Sequence, residues 1–416
     1  MAPAWPYLTA DIAPVSAGIK RHDEDFVVEE VPLYDPCGSG DHVYAWVEKV
    51  GMTTRRAVLE IARTLDVSPT AIGVAGQKDA HGITRQVLSI EGVEPSRVQA
   101  LDLLHLRVLD VARHRAKLRP GALRGNRFRV RLREVSAARV GEVRQVLEVL
   151  ARRGVPNYFG PQRFGMRGDT WEVGRALLGG DFTAAVALIA GRPMSDDSVP
   201  VRRARGLTAA GRYREAASAW PSGFADCARL CRLLHRTGGD LRRALFGLDR
   251  SVLGFYVSAY QSWLFNRVLA ARVADLDRCL SGEIAFWHRT GQCAPVADMA
   301  AAQLQATRFE ISPTGPMIGV TMSHPQGEAG ATEQRVFADA GCALEGLPRT
   351  GPLTCVGGRR PLRFQPEGLD LAAGEDDRGS YLELGFTLPP GCYATALLRE
   401  ICKDHLREGP DEPDVV

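Results

Sequence analysis

At 416 residues the chain is longer than one hydrophobic core usually supports, so two domains are expected, one of them able to interrupt the other. Its 45% hydrophobic content is that of a globular protein, no uncharged apolar run reaches membrane-spanning length, and Met1–Tyr7 lacks the basic and apolar regions of a secretory signal, which together argue for the cytoplasm and against a membrane. The nine cysteines form no CxxC pair, and Cys227 and Cys231, one helical turn apart, lack two further ligands, so reduced thiols and no metal are expected.

In chain order, Gly18–Val31 alternates like a strand around Phe26 and Val28, and the Gly-rich loop Cys37–Gly40 leads into a strand at His42–Val50. Thr53 and Thr54 offer an N-cap for a helix whose Val58, Ile61, Ala62 and Leu65 share one face. A short strand, Ala71–Gly76, ends in the loop Gln77-Lys78-Asp79-Ala80-His81-Gly82, and a further strand follows at Ile83–Ile90. From Asn126 the period of two sets Asn126, Phe128, Val130 and Leu132 on one sheet face and Arg127, Arg129, Arg131 and Arg133 on the other. A helix over Ala137–Arg153, capped by Ser136, stops at Gly154.

The middle changes texture. Asn157–Gly165 is aromatic and Gly-rich, Gly191–Gly206 reads as a charged linker, and Ser251–Val273 is a strongly apolar helix in which Tyr256, Tyr260, Trp263, Leu264 and Arg267 share a face, the pattern of a core. A strand at Tyr381–Leu388, the turn Pro389-Pro390-Gly391, a helix over Ala394–Leu406 and a disordered tail from Glu408 to Val416 complete the reading.

Two features bear on chemistry. Arg107–Arg133 carries ten lysines and arginines in 27 residues against 52 in 416 overall, which fits either a nucleic-acid footprint or the solvated face of an arginine-rich protein. Asp79, in a tight loop between two strands beside Lys78, is a carboxylate that strands would fix and a cation would keep ionised. By residue type alone, an ordinary turn aspartate is the simpler reading.

The string Ala75-Gly-Gln-Lys-Asp-Ala-His-Gly-Ile-Thr-Arg-Gln86 resembles the catalytic signature of the tRNA pseudouridine-13 synthases, the TruD family. Four more blocks stand in that family's order: Gly18-Ile-Lys with Glu24-Asp-Phe-Val-Val-Glu29, Ala112 to Phe128, Pro156-Asn-Tyr-Phe-Gly-Pro-Gln-Arg-Phe-Gly165, and Gly391-Cys-Tyr-Ala-Thr-Ala-Leu-Leu-Arg-Glu400. The resemblance implies an α+β fold: a pseudouridine-synthase catalytic domain with a mixed, mainly antiparallel sheet flanked by helices, formed by residues 1–153 and 363–416 and interrupted by an inserted α/β domain at 154–362. It implies a tRNA substrate, no cofactor, and no obligate protein partner.

Carried over by motif, Asp79 resembles the nucleophilic aspartate, Phe26 and Asn126 resemble substrate contacts, and Phe128 resembles the aromatic beside the active-site loop. The fourth position falls on Tyr393, where the family usually has phenylalanine, and Asp23 stands where a proline is expected. Read without the family, Phe26 and Phe128 could be core, Asn126 a turn residue, Tyr393 a helix start and Lys78 a solvated lysine. The resemblance makes Arg113, His114, Arg115, Lys117, Arg119 and Arg124 the natural phosphate clamp, with the Arg127–Arg133 row on the far sheet face. A hydrolytic glycosidase would usually need a second carboxylate placed as an acid, and a pure RNA binder would not need the Lys78-Asp79 pair.

Overall fold

The computed structural model describes residues 5–78 and 80–409; Asp79 and the tail beyond Gly409 lie outside the described residues. The chain divides into two compact units, one from Tyr7–Val155 and the segment starting at Phe364, the other from Pro156–Arg363. Helices and sheet mix in both, so the fold class is α+β. The first unit begins with β1 (Ala17–Ile19), β2 (Phe26–Pro32), β3 (His42–Val50), α1 (Thr54–Leu65), β4 (Ile72–Val74), β5 (Ile83–Glu91), β6 (Leu106–His114), β7 (Leu123–Arg133) and α2 (Val140–Arg153). The second holds α3 (Thr170–Leu178), α4 (Val199–Ala209), α5 (Tyr213–Ala219), α6 (Ala225–Arg236), α7 (Arg250–Arg272), β8 (Ile284–Trp287), β9 (Gln292–Pro295), β10 (Ile311–Met317), α8 (Gly327–Asp339) and β11 (Gly358–Pro361). The first unit then resumes with β12 (Glu367–Asp376), β13 (Gly379–Leu388), α9 (Ala394–Cys402) and β14 (Leu406–Glu408).

The sheet of the first unit runs β12-β13-β7-β2-β5-β3-β6. All these pairs are antiparallel except β2–β5, which is parallel and only three residues long, Val27–Glu29 against Ile83–Arg85. Alternation puts Phe26 and Val28 on one face with Phe128, Val130, Leu384 and Phe386, where they pack against α2 and α9 through Val143, Leu150, Leu397 and Ile401. Across the β2–β5 seam, Val43, Val47, Leu88 and Ile90 form a separate cluster with Ala57, Ile61 and Leu65 of α1.

The alternate arginines of β7 do lie on the reverse face, where three of them pair with carboxylates of their own unit: Arg127 with Glu29 at 3.6 Å, Arg131 with Glu383 at 2.8 Å, and Arg133 with both Asp25 and Asp376 at 2.7 Å. The hydrogen bonds that Arg133 donates to Asp376 and Asp25 raise its pKa, and Arg133 in turn holds the Asp376 carboxyl down at about 2.

In the second unit β9-β8-β10-β11 form an antiparallel sheet beside the helices. The helix α7 is core, as its apolar face implies: Tyr260, Trp263 and Leu264 are buried, and Trp171 of α3 stacks on Trp263 with centroids 3.9 Å apart. Its buried Asn266 clasps the backbone of Phe159, accepting from the N–H at 2.9 Å and donating to the carbonyl at 3.0 Å.

Three sequence expectations need correction. Much of the expected linker Gly191–Gly206 is α4, whose buried stripe Val201, Ala204, Arg205 and Thr208 follows helical spacing even though one member is charged. The final helix ends at Cys402, four residues early, because Lys403 takes a left-handed φ of 54°. Glu408, expected in a disordered tail, belongs to β14, which pairs with β1.

Candidate active site

The loop after β4 is held on both sides of position 79. Thr53 caps α1 by accepting from the Arg56 N–H, which leaves the Thr54 side chain free to turn inward. Its hydroxyl accepts from the Lys78 N–H at 2.8 Å and donates to Gln86 Oε1 at 2.9 Å. The Lys78 ammonium donates to Glu30 Oε2 at 2.8 Å, and both side chains are almost fully buried, at 5% and 1% exposure. On the other side, the Gly82 N–H donates to Asp23 Oδ1 at 3.0 Å. Gly82 adopts φ 112°, and a Cβ there would run into the Phe26 carbonyl, so only glycine fits. Asp23, the departure from the family pattern, is therefore the group that holds the loop's exit.

Glu30 sits where β2 splays from β5, and its Oε1 takes the Val87 N–H at 3.3 Å in place of a strand partner. Register then puts Glu30 directly opposite Asn126. The Asn126 Oδ1 is buried with no hydrogen-bond partner among the described residues. An unpaired buried acceptor costs roughly 1–3 kcal/mol, so it marks a place where a ligand donor is wanted.

Phe26 and Phe128 meet edge to face, with centroids 6.1 Å apart, and Phe128 stacks on Phe386 at 5.3 Å. Both predicted rings belong to the core cluster, at 4% and 8% exposure. Tyr393 differs: it is 44% exposed at the start of α9, five residues past Leu388, the β13 partner of Asn126. No ring pair or hydrogen bond joins Tyr393 to Phe26, Phe128 or Asn126 among the described residues.

The basic segment is divided. Arg113 is tied to Glu94 at 2.8 Å and to the Gly40 carbonyl, His114 lies between the rings of Tyr34 and Tyr44, and the Lys117 ammonium donates to the Thr70 carbonyl. Arg115, Arg119 and Arg124 are exposed and form no ion pair among the described residues. Their loop adjoins the one that carries Asp79, because the Gly121 N–H donates to the Ala75 carbonyl at 2.7 Å.

Sequence reasoning missed Glu30, Thr54, Gln86, Phe386 and Lys49. Lys49 is 1% exposed, donates to the Met52 carbonyl and pairs across the sheet with Thr84, two residues beyond Gly82. A lysine at an inward-facing position of the strand His42–Val50 was the available signal.

The family model for tRNA pseudouridine synthase D (TruD) matches residues 5–401. The chain is 42% identical to the tRNA pseudouridine synthase D of Geobacter sulfurreducens, over 95% of this chain and 96% of that protein. It is 43% identical to that of Geobacter metallireducens, over 95% and 97%, and 37% identical to that of Anaeromyxobacter dehalogenans, over 98% and 99%. A crystal structure from Methanosarcina mazei assigned to tRNA pseudouridine synthase D superposes with a TM-score of 0.83 at 27% identity, covering 96% of each chain. The chain therefore belongs to the TruD family of tRNA pseudouridine synthases.

Proposed function

We propose that the chain isomerises the uridine at position 13 of tRNA, with the Asp79 carboxylate carrying the covalent or proton-abstracting step and no metal or organic cofactor taking part. Conversion of uridine to pseudouridine in tRNA is the activity of the family. Position 13 and the individual residue roles rest on the motifs and on the loop geometry. The observation that supports Asp79 most strongly is the clamp on its neighbours: Lys78 is held through backbone and side chain, and Gly82 through Asp23. The clamp anchors the residues on either side, Lys78 and Gly82, which is the support a reacting group between them would need.

The reaction breaks N1–C1′, turns the uracil over, forms C5–C1′ and sheds the C5 proton, while N1 gains a proton. Asp79 either attacks C1′ or takes the 2′ proton to give a glycal. The unpaired Asn126 Oδ1 accepts from the uracil N3–H or a ribose hydroxyl. Phe26 and Phe128 wall the base through ring edges, Tyr393 closes the outer side, and exclusion of water keeps the freed base from being lost. The uridine must be flipped from its stack to reach such a site. The interrupted unit is then the catalytic domain, Pro156–Arg363 the family-specific one, and the cytoplasm the place of work.

Labelled tRNA incubated with the protein, digested and separated into nucleosides tests the reading. Pseudouridine is expected; free uracil would make the protein a glycosidase, and unchanged uridine would make it a binder only.

Two further outcomes follow from the site. Arg115→Glu with Arg119→Glu should flatten the dependence of log K on log salt by about 1–2, since each phosphate contact contributes roughly 0.7–0.9. A wild-type slope in a filter-binding series would leave these arginines as solvated surface. Tyr393→Phe should turn over within about threefold of wild type in single-turnover assays, because a packing role needs the ring and not the hydroxyl. A loss of several powers of ten would make that hydroxyl a proton-transfer group.

A further inference from the structure

We infer that a second pocket in the first unit binds an unpaired guanine of the RNA, separate from the uridine that reacts; this rests on the RNA reading above. The cavity, of about 230 Å³, is walled by the rings of Tyr34, Tyr44 and Trp46 and bears three carboxylates, Glu30, Asp35 and Asp110. Trp46 pairs with Val87, and the alternate residues Thr84 and Gln86 share a face with Val28, so Trp46 lies on the reverse of the sheet from Phe26 and Phe128. Glu30, which by alternation belongs to the Phe26 face, reaches this lining where β2 splays from β5 and its Oε1 accepts from the Val87 N–H. A register irregularity in β6 sets Asp110, rather than Leu109, beside Trp46, which is how a bulge re-aims a side chain.

The wall is rigid. His114 lies against both Tyr34 and Tyr44, at 5.2 and 4.5 Å, and its Nδ1 accepts from the Cys37 N–H. The Tyr44 hydroxyl donates to the Ala116 carbonyl at 3.0 Å, so the Tyr34 hydroxyl donates to Tyr44 at 3.2 Å. Both oxygens of Glu30 are occupied, by Lys78 and by the Val87 N–H. What the lining still offers is its aromatic rings, the Asp35 carboxylate, the Asp110 carboxylate, whose Oδ1 also accepts from the Val111 N–H at 2.9 Å, and the Trp46 indole N–H, which has no hydrogen-bond partner among the described residues.

Guanine presents two adjacent donors, N1–H and N2–H, beside the O6 acceptor, so one carboxylate can take both donors while the base stacks. Uracil, with its single N–H between two carbonyls, would face the carboxylates with its own oxygens, so this pocket does not suit the reacting base. Leu118 and Ala122 also line it, and their loop carries Arg115 and Arg119, which form no ion pair among the described residues, with Arg124 just beyond it. Phosphates held at the rim by those arginines would leave the base edge, not the backbone, to enter an acidic pocket.

Trp46→Ala, Trp46→Phe and Asp110→Asn, each checked by thermal melting, test the inference with an unmodified tRNA transcript. Trp46→Ala should raise the Kd about 5- to 100-fold, the usual effect of a lost base stack, while Trp46→Phe stays within about threefold. At saturating protein the single-turnover rate of Trp46→Ala should stay within about twofold. In interference mapping, inosine, which lacks the N2 amino group, should weaken wild-type binding at one unpaired guanosine, and this effect should vanish in Asp110→Asn. Trp46→Ala binding within twofold of wild type overturns the pocket, as does inosine interference unchanged in Asp110→Asn. If GMP quenches Trp46 fluorescence while no guanosine interferes, the guanine comes from a free nucleotide and the RNA assignment fails. A wild-type protein that neither binds tRNA nor makes pseudouridine removes the RNA reading itself, and the pocket's role with it.

Discussion

Asp79→Asn is expected to leave a folded protein that binds tRNA within a few fold of wild type and makes no measurable pseudouridine. The amide keeps the size of the side chain and removes only its charge. The neighbouring clamp does not depend on that charge, since the Lys78 ammonium is already paired with Glu30 and the Lys78 N–H is held by Thr54. Loss of a turn residue costs about 1 kcal/mol of stability and little rate, whereas loss of a nucleophile commonly costs many powers of ten. Thermal melting, filter binding and single-turnover kinetics on one sample separate these cases. A well-folded variant working at a tenth of the normal rate would remove Asp79 from the chemistry.

The second large effect is on stability. Arg133→Met should destabilise the first unit by about 3–5 kcal/mol, because Asp25, fully buried, would lose the partner that neutralises it. Adding Asp25→Asn should restore much of the loss, since removing a buried pair together is far milder than breaking it. Urea unfolding of the three proteins checks this; a single-variant loss under 1 kcal/mol would mean that water reaches the pair. The same knot has a pH signature. The Asp376 carboxyl sits at about 2 in the fold, below its ordinary range near 3.9, because Arg133 bonds it. A depressed carboxyl stabilises the fold above its ordinary value, and that contribution is lost as pH falls from about 4 towards 2. In Arg133→Met this part of the acid dependence should disappear.

Much of the sheet was legible because a period of two survives in the sequence: Asn126, Phe128 and Val130 face one way and the arginines of β7 the other. The partners of those arginines were not legible. Alternation after Phe26 and Val28 turns Glu30 inward and leaves Glu29 a surface partner of Arg85, but the Lys78 ammonium and Val87 N–H that anchor the buried carboxylate are brought to it only by the fold. Lys49 hides for the same reason, since burial of a charge depends on what the fold brings to it. In α4 the arginines masked a helical stripe, because one arginine is itself on the buried face. His114, expected as a phosphate ligand, packs against two tyrosine rings, a contact of 70 and 80 residues' separation that no local pattern carries. Asp79 stood out only through its family motif; by residue type it was an ordinary turn.

The most direct measurement uses tRNA carrying tritium at C5 of its uridines. Joining C5 to C1′ forces that position to give up its hydrogen, so wild-type protein should release tritium to water in step with pseudouridine formation, with the modified site mapping to position 13, and Asp79→Asn should release none. Tritium retained on free uracil, or released undiminished by Asp79→Asn, would contradict the account.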